Sequence, residues 1–244
     1  MRTLILAAAS VAALTAPARA DDPKAVIEKA IKAHGGADKL DKYKGYKATV
    51  KGTIVAGGME IEVKGDTVVA YPDKVKVKGT LSVGGMDLSI LQIVTPTKAK
   101  FTINGMNMDL PDEELAEQRF SAYVVGLTQL TPLLKGDTFT LKAAADGDVD
   151  GKPAVGVVVS SKDRKDVTLY FDKASGLLVK TSRQGRDEGK EVLEEQILGD
   201  YKAVDGVQMP HKETVLKAGT RNQEFTTEKY EMLEKVDESE FADD

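Results

Sequence analysis

The residues able to do polar chemistry are few and scattered. Asp146-Gly147-Asp148-Val149-Asp150-Gly151 repeats the first half of an EF-hand calcium loop. Such a loop needs a bidentate glutamate at its twelfth position, and that position is Val157. Pro153 also falls inside the would-be loop, so the segment reads as an acidic hairpin turn. The two histidines, His34 and His211, lie far apart in the chain. His34 falls in the last turn of a short helix, where the negative end of the helix dipole favours it, rather than in a metal site. Cysteine is absent, and no Gly-x-Ser-x-Gly, His-Glu-x-x-His or phosphate-binding glycine loop occurs. Glu113-Glu114 and Glu194-Glu195 are adjacent pairs, which diverge rather than converge on one bond. The expectation is a protein that is not an enzyme and uses no metal or cofactor.

What remains is apolar chemistry. Met59, Met86, Met106 and Met108 follow glycine-bearing turns and fall in phase with an alternating apolar face. The thioether is flexible and polarizable; it fills gaps in cores and recurs on surfaces that accept varied apolar partners. Residues 52–61, GTIVAGGMEI, match residues 79–88, GTLSVGGMDL, at five identical positions, and Asn104-Gly105-Met106 echoes the turn again. The repeated unit is a hairpin, in too few copies for a solenoid.

Alternation defines the elements that carry these residues. Tyr46, Ala48, Val50 and Ile54 alternate with Lys47, Thr49, Lys51 and Thr53, and Met59, Ile61 and Val63 with Glu60, Glu62 and Lys64. That pattern predicts antiparallel strands with one dry and one wet face. Gly57-Gly58, Pro72-Asp73, Gly84-Gly85 and Asn104-Gly105 supply turns. Strand-like sequence resumes near Phe139 and continues to Leu233, interrupted by a charged, glycine-containing loop over residues 183–190. Between the two runs lies one long helical pattern, residues 110–134, with a helix over 112–131. Ala116, Phe120, Tyr123, Val124, Leu127 and Leu130 form its stripe; Gln118, Ser121 and Gln129 lie away from it, and Val125 is the exception. A shorter helix carries Val26, Ile27, Ala30 and Ile31 and ends at Gly35-Gly36. The acidic tail from Asp237 reads as frayed, anchored by Phe241 alone.

The first 20 residues read as a signal peptide: Arg2, an apolar run, then Ala18-Arg19-Ala20. Cleavage after Ala20 predicts a periplasmic or secreted chain, residues 21–244, folded as a single domain. No later stretch is apolar enough to span a membrane. Loss of Arg2 and Arg19 takes the formal net charge from −5 to −7, a balance unsuited to nucleic acid.

Several segments resemble one family. Tyr170-Phe171-Asp172-Lys173-Ala174-Ser175-Gly176-Leu177-Leu178 is similar to a strand-turn signature of the outer-membrane lipoprotein-sorting proteins, the LolA/LolB-like carriers. Asp200-Tyr201 with Val204-Asp205-Gly206-Val207 and Pro210 looks like a second, Val149-Asp150-Gly151-Lys152-Pro153-Ala154 like the hairpin before them, and Ala33-His34-Gly35-Gly36 like a start found among exported members. The resemblance implies a mainly β fold with a few helices: a curved antiparallel sheet forming an incomplete barrel covered by helices. It also implies a hollow that shields acyl chains. Such carriers use an arginine on an early strand to hold the lid; none occurs here between Arg19 and Arg119.

The expected function is an exported carrier or binder of lipoprotein acyl chains or other lipidic ligands, with envelope proteins as further partners. The alternative is a non-catalytic envelope sensor or interaction module with a filled core. The candidate cavity liners are Met59, Ile61, Met86, Leu88, Met106 and Met108 on the sheet, with Phe120, Val124 and Leu127 on the helix.

Overall fold

The computed structural model describes residues 21–187 and 189–242; the expected signal peptide, residues 1–20, lies outside the described residues. Helix α1 (Pro23–Ala33) starts with Asp22 accepting the Lys24 N–H and Pro23 in its first turn, and His34 caps its C-terminus. Helix α2 (Ala37–Lys42) leads into a meander: β1 (Gly45–Ala56), β2 (Met59–Ala70), β3 (Lys74–Val83), β4 (Met86–Val94), β5 (Ala99–Ile103) and β6 (Met106–Asn107). Helix α3 (Asp112–Leu127) and a 3-10 turn (Thr131–Leu134) follow. The second run comprises β7 (Phe139–Ala143), β8 (Gly147–Val149), β9 (Lys152–Ser161), β10 (Val167–Asp172), β11 (Leu178–Asp187), β12 (Lys190–Val204), β13 (Val207–Lys217) and β14 (Thr220–Leu233).

Among the described residues, fourteen strands form one antiparallel sheet in the order β6-β5-β4-β3-β2-β1-β14-β13-β12-β11-β10-β9-β7, with β8 paired to β9. Its two edges, β6 and β7, are joined by the segment that contains α3. The helix therefore crosses from one edge of an unclosed sheet to the other. The incomplete barrel covered by helices is the fold observed.

Glycines sit where strands press closest. A Cβ on Gly65 or Gly79, which are cross-strand partners, would lie 2.4 Å from Lys78 O or 2.3 Å from Lys64 O. Gly52 and Gly79 are equivalent positions of the sequence repeat, so the repeat carries these close approaches with it.

The main core lies against β9–β11. Val157, Val159, Val167, Leu169 and Phe171 pack with Ile27, Ala30 and Ile31 of α1 and with Tyr123, Val124 and Leu127 of α3. A second cluster joins Ile61, Val63 and Leu81 to partly buried Ile54, Leu88, Ile90 and Phe225. On the other face, Phe241 fills a pocket of Val68, Ala70 and Ile93. The tail is not frayed as far as residue 242. Lys47 binds Glu240 at 2.7 Å and Lys74 binds Glu238 at 2.5 Å, so ion pairs as well as Phe241 hold it.

The charged stretch is strand over residues 183–187 and again at Lys190. β11 runs to Asp187 and β12 resumes at Lys190, because Arg183 opposes Glu194, Arg186 opposes Glu191 and Asp187 opposes Lys190. Opposite charges across the ladder sustain strands that composition assigns to solvent. The acidic segment 146–151 forms the β8–β9 hairpin, its Gly151 N–H donating to Asp148 Oδ1 at 2.7 Å.

Candidate functional site

Helix α3 presents two sides to the protein, and this decides what the hollow is. Tyr123 and Leu127 enter the main core, with Tyr123 Oη 2.8 Å from Ser161 Oγ. The other side faces a space of about 330 Å³ between helix and sheet. Ala122, Val124 and Val125 face it from the helix, and Val75 and Val94 from the near wall. Gln118 and Ser121, expected to point away, also face inward, while Ala116 of the expected stripe is exposed. The helical wheel presumes a single apolar partner; α3 has a core on one side and a hollow on the other. The helix ends at Leu127; three residues on, Leu130 centres a tight γ-turn (φ 62°, ψ −46°), with the Thr131 N–H donating to Gln129 O at 2.7 Å, and tucks into the core.

The far wall is polar. Arg183 of β11 is buried and reaches three groups at once. It donates through Nη1 to Glu117 Oε1, and through Nη2 to Ser121 Oγ at 2.9 Å and Glu194 Oε1 at 2.6 Å. Its guanidinium also lies 4.9 Å from the centre of the Phe120 ring. Two further arginines grip the helix from the same side. Arg186 meets Glu113 at 2.6 Å, and Arg164 stands 4.3 Å over the Tyr123 ring. The helix is thus tied to the late strands, by arginines that sequence reasoning assigned to a charged loop or left without a role. At its other end, Gly126 lies against the β2–β3 turn; a Cβ there would sit 1.7 Å from Pro72 O.

A smaller space of about 90 Å³ adjoins the first and shares Val125, Gln196 and Glu213 with it. Tyr43, Tyr46, Tyr71, Tyr201 and Tyr230 line it, along with His34. The Tyr46 ring stands 6.2 Å from Tyr71 and 5.4 Å from Tyr230, both edge to face. Burial raises the phenol of Tyr46 well above its ordinary range, and likewise Tyr71 and Tyr201; Tyr230 is pushed up to about 12. Burial lowers the His34 imidazole despite its 2.8 Å contact with Ala30 O. Glu213 is raised by burial first and by the neighbouring Glu194 second, against the opposing bond to Gln196.

The expected liners separate into groups. Val124 faces the larger space, whereas Leu127 is enclosed in the main core. Phe120 lies under Arg183 rather than in the hollow. Ile61 and Leu88 belong to the second apolar cluster, farther along the same sheet. Met59, Met86, Met106 and Met108 are not enclosed; they are 58%, 66%, 67% and 43% exposed. Met59, Met86 and Met106 have the expected phase: Met59 shares the parity of Ile61, Met86 pairs with Val83 and Met106 with Ile103, on the face of Leu81, Leu88 and Ile90. These three stand at hairpin tips, and Met108 follows the end of β6. Alternation fixes the face of a residue, not whether anything covers it.

Arg183, Glu213, Gln196 and the tyrosine group were missed. One signal was present for Glu213: it occupies the inward parity of Val207, Met209 and Val215, where a carboxylate is out of place.

The family-signature segments contact one another. Tyr201 donates its hydroxyl to Leu178 O, and the Gln208 N–H donates to His34 O at 3.1 Å. A Cβ on Gly35, at φ 120°, would strike Gly206 O at 2.3 Å. These residues lock α1, β11 and the β12–β13 turn together, which is a fold-building role.

No family model and no curated protein sequence matches the chain. Solved structures resemble it throughout its length. A LolA superfamily protein of Nitrosomonas europaea matches at TM-score 0.53 and 11% identity, over 92% of this chain and 99% of that one. A DUF1329 family protein of Desulfovibrio piger matches at TM-score 0.54 and 10% identity, over 91% and 98%. A lipoprotein-sorting protein domain of Vibrio parahaemolyticus aligns at TM-score 0.48 and 13% identity, over 90% and 97%. The first two likenesses establish the fold. Among the described residues, no helix is long and apolar enough to cross a membrane.

Proposed function

From the LolA-like fold as premise, we propose that this chain is an exported, non-catalytic carrier or binder of lipidic ligands, acyl chains of lipoproteins among them. The observation that carries the reading is the space of about 330 Å³ left between α3 and an unclosed sheet. Its valine-lined side leads toward the Ile61–Leu88 cluster and the methionine tips along one sheet face. The driving force would be partition: each methylene taken from water contributes about 0.8 kcal/mol, so a single acyl chain supplies ample affinity. The N-terminal segment supports export to the periplasm or beyond.

Native mass spectrometry on protein purified from its own envelope, followed by titration with a fluorescent acyl probe, tests this. Co-purified lipid or saturable probe uptake is the expected result. Protein recovered empty that takes up no probe would overturn the reading. The alternative of a sensor or interaction module draws support from the filled core against β9–β11. It predicts that second, negative outcome, together with capture of an envelope protein.

A further inference from the structure

The two adjoining spaces differ in chemistry, and the smaller one has no obvious use for a bare hydrocarbon. Five of the seven tyrosines of the chain line it. Among the described residues that line it, Glu213 is the single carboxylate, and no lysine or arginine is present. The Tyr201 and Tyr230 hydroxyls are committed to the backbone oxygens of Leu178 and Pro210. Their rings remain as walls with those of Tyr46 and Tyr71, and Tyr46 stands at a steep angle to both Tyr71 and Tyr230. An aromatic box closed by a carboxylate is the arrangement that attracts an ammonium ion, through the ring quadrupoles and one charge-assisted contact.

The larger space repeats the imbalance. Glu117 and Glu194 share the one guanidinium of Arg183, while Arg186 and Lys217 are engaged with Glu113 and Asp187. Among the described residues, no ion pair engages Glu213, which stands at the junction of the two spaces.

We propose that the ligand of this hollow is a cationic amphiphile, its ammonium head group seated among Tyr46, Tyr71, Tyr230 and Glu213 and its alkyl chain under α3. The proposal rests on the carrier reading above and adds the head-group class to it. Burial raises the Glu213 carboxyl, and a cation beside it would oppose that shift, so cation binding and ionisation of Glu213 favour each other. Affinity for the cation then rises with pH through the titration of the empty site. The groups around that carboxyl are Glu194 and Gln196 from β12, Tyr46 from β1, Tyr230 from β14 and, two residues earlier on β13 itself, His211, whose ring lies 5.2 Å from that of Tyr230; Arg183 and Lys217 line the adjoining larger space. Helix α3 contributes neutral Val125 there, Thr128 and Gln129 beyond its end remain neutral too, and α2 is followed by Tyr43.

The test is isothermal titration of residues 21–244 with decyltrimethylammonium, decyl sulfate and decanol, each as monomer, at pH 5 to 8. At pH 8 the ammonium should bind about tenfold tighter than decanol, with the sulfate weakest, and its advantage should shrink as pH falls. Glu213→Gln should remove the advantage of the ammonium over decanol. Equal binding of ammonium and decanol, or a preference that survives Glu213→Gln, overturns the head-group inference and leaves the carrier reading standing. Failure of all three probes overturns both. Should the variant lose its fold, the wild-type profile decides: an ammonium affinity flat with pH overturns the inference.

Discussion

Strands β9–β11 and strands β1–β5 belong to one sheet, yet their concave faces meet different surroundings. Against β9–β11, α1 and α3 leave Val157, Val167, Leu169 and Phe171 at 1% exposure or less. Against β1–β5, only α3 approaches; Ile61, Val63 and Leu81 shield one another, and the flanking Ile54, Leu88 and Ile90 stay partly open. The difference originates in chain order. Helix α1 docks on the late strands, whereas α3 spans the two halves: its backbone runs nearest β3–β5, while Tyr123 and Leu127 reach into the late-strand core. One half is built for stability, and the other keeps apolar surface uncovered at a cost that the first half offsets.

The contrast can be broken by comparing deletions. Phe171→Ala should cost about 3–5 kcal/mol in urea unfolding, while Leu88→Ala, partly exposed already, should cost about 1 kcal/mol. Equal costs would mean that both halves are equally packed. Arg183→Ala should come next, at about 3 kcal/mol, because it leaves Glu117 and Glu194 facing each other without their cation. Adding Glu117→Gln should recover part of that loss, and hydrogen exchange should quicken in α3 before β9–β11. Gly126→Ala should cost about 1–3 kcal/mol by forcing the helix off Pro72 O, detaching α3 from the early strands alone.

Titration should separate the two ends more gently. The His34 imidazole is lowered by burial, so its contribution is complete above its ordinary 6.5 and is lost as pH falls from there toward the folded value. Glu213 is raised, so its contribution is complete below its ordinary 4.5 and is lost as pH rises through the folded value. Gln in place of Glu213 should abolish the second slope and preserve the first. The smallest effect on stability belongs to the methionine tips. Joint replacement of Met59, Met86 and Met106 by Ser should move unfolding by about 0.5 kcal/mol or less, yet reduce uptake of an acyl probe. Unchanged uptake would remove the tips from the ligand path.

Much of the fold was legible from alternation and turns. The residues of β1–β4 read as inward do share one face, and the two-residue turns fall where Gly57-Gly58 and Gly84-Gly85 place them. The site was less legible, for three physical reasons. A strand pattern continues unchanged where a strand leaves its cover, so it could not show the methionines standing in solvent. A helix with two apolar neighbours has no single stripe, so Gln118 and Ser121 seemed to point outward. Charged residues paired across a ladder look like a loop in one dimension, and this hid Arg183, whose partners Glu117 and Glu194 are distant from it in sequence.

The unequal sheet edges have a consequence for the behaviour of the protein in a crowded compartment. An open barrel leaves two strand edges that could recruit the edges of other copies. Here one edge, β6, is two residues long and is soon followed by Pro111, which has no N–H to offer. The other, β7, spans five residues and carries Lys142. Both are poor templates for intermolecular pairing. The unclosed sheet is in this way guarded against polymerising through its opening.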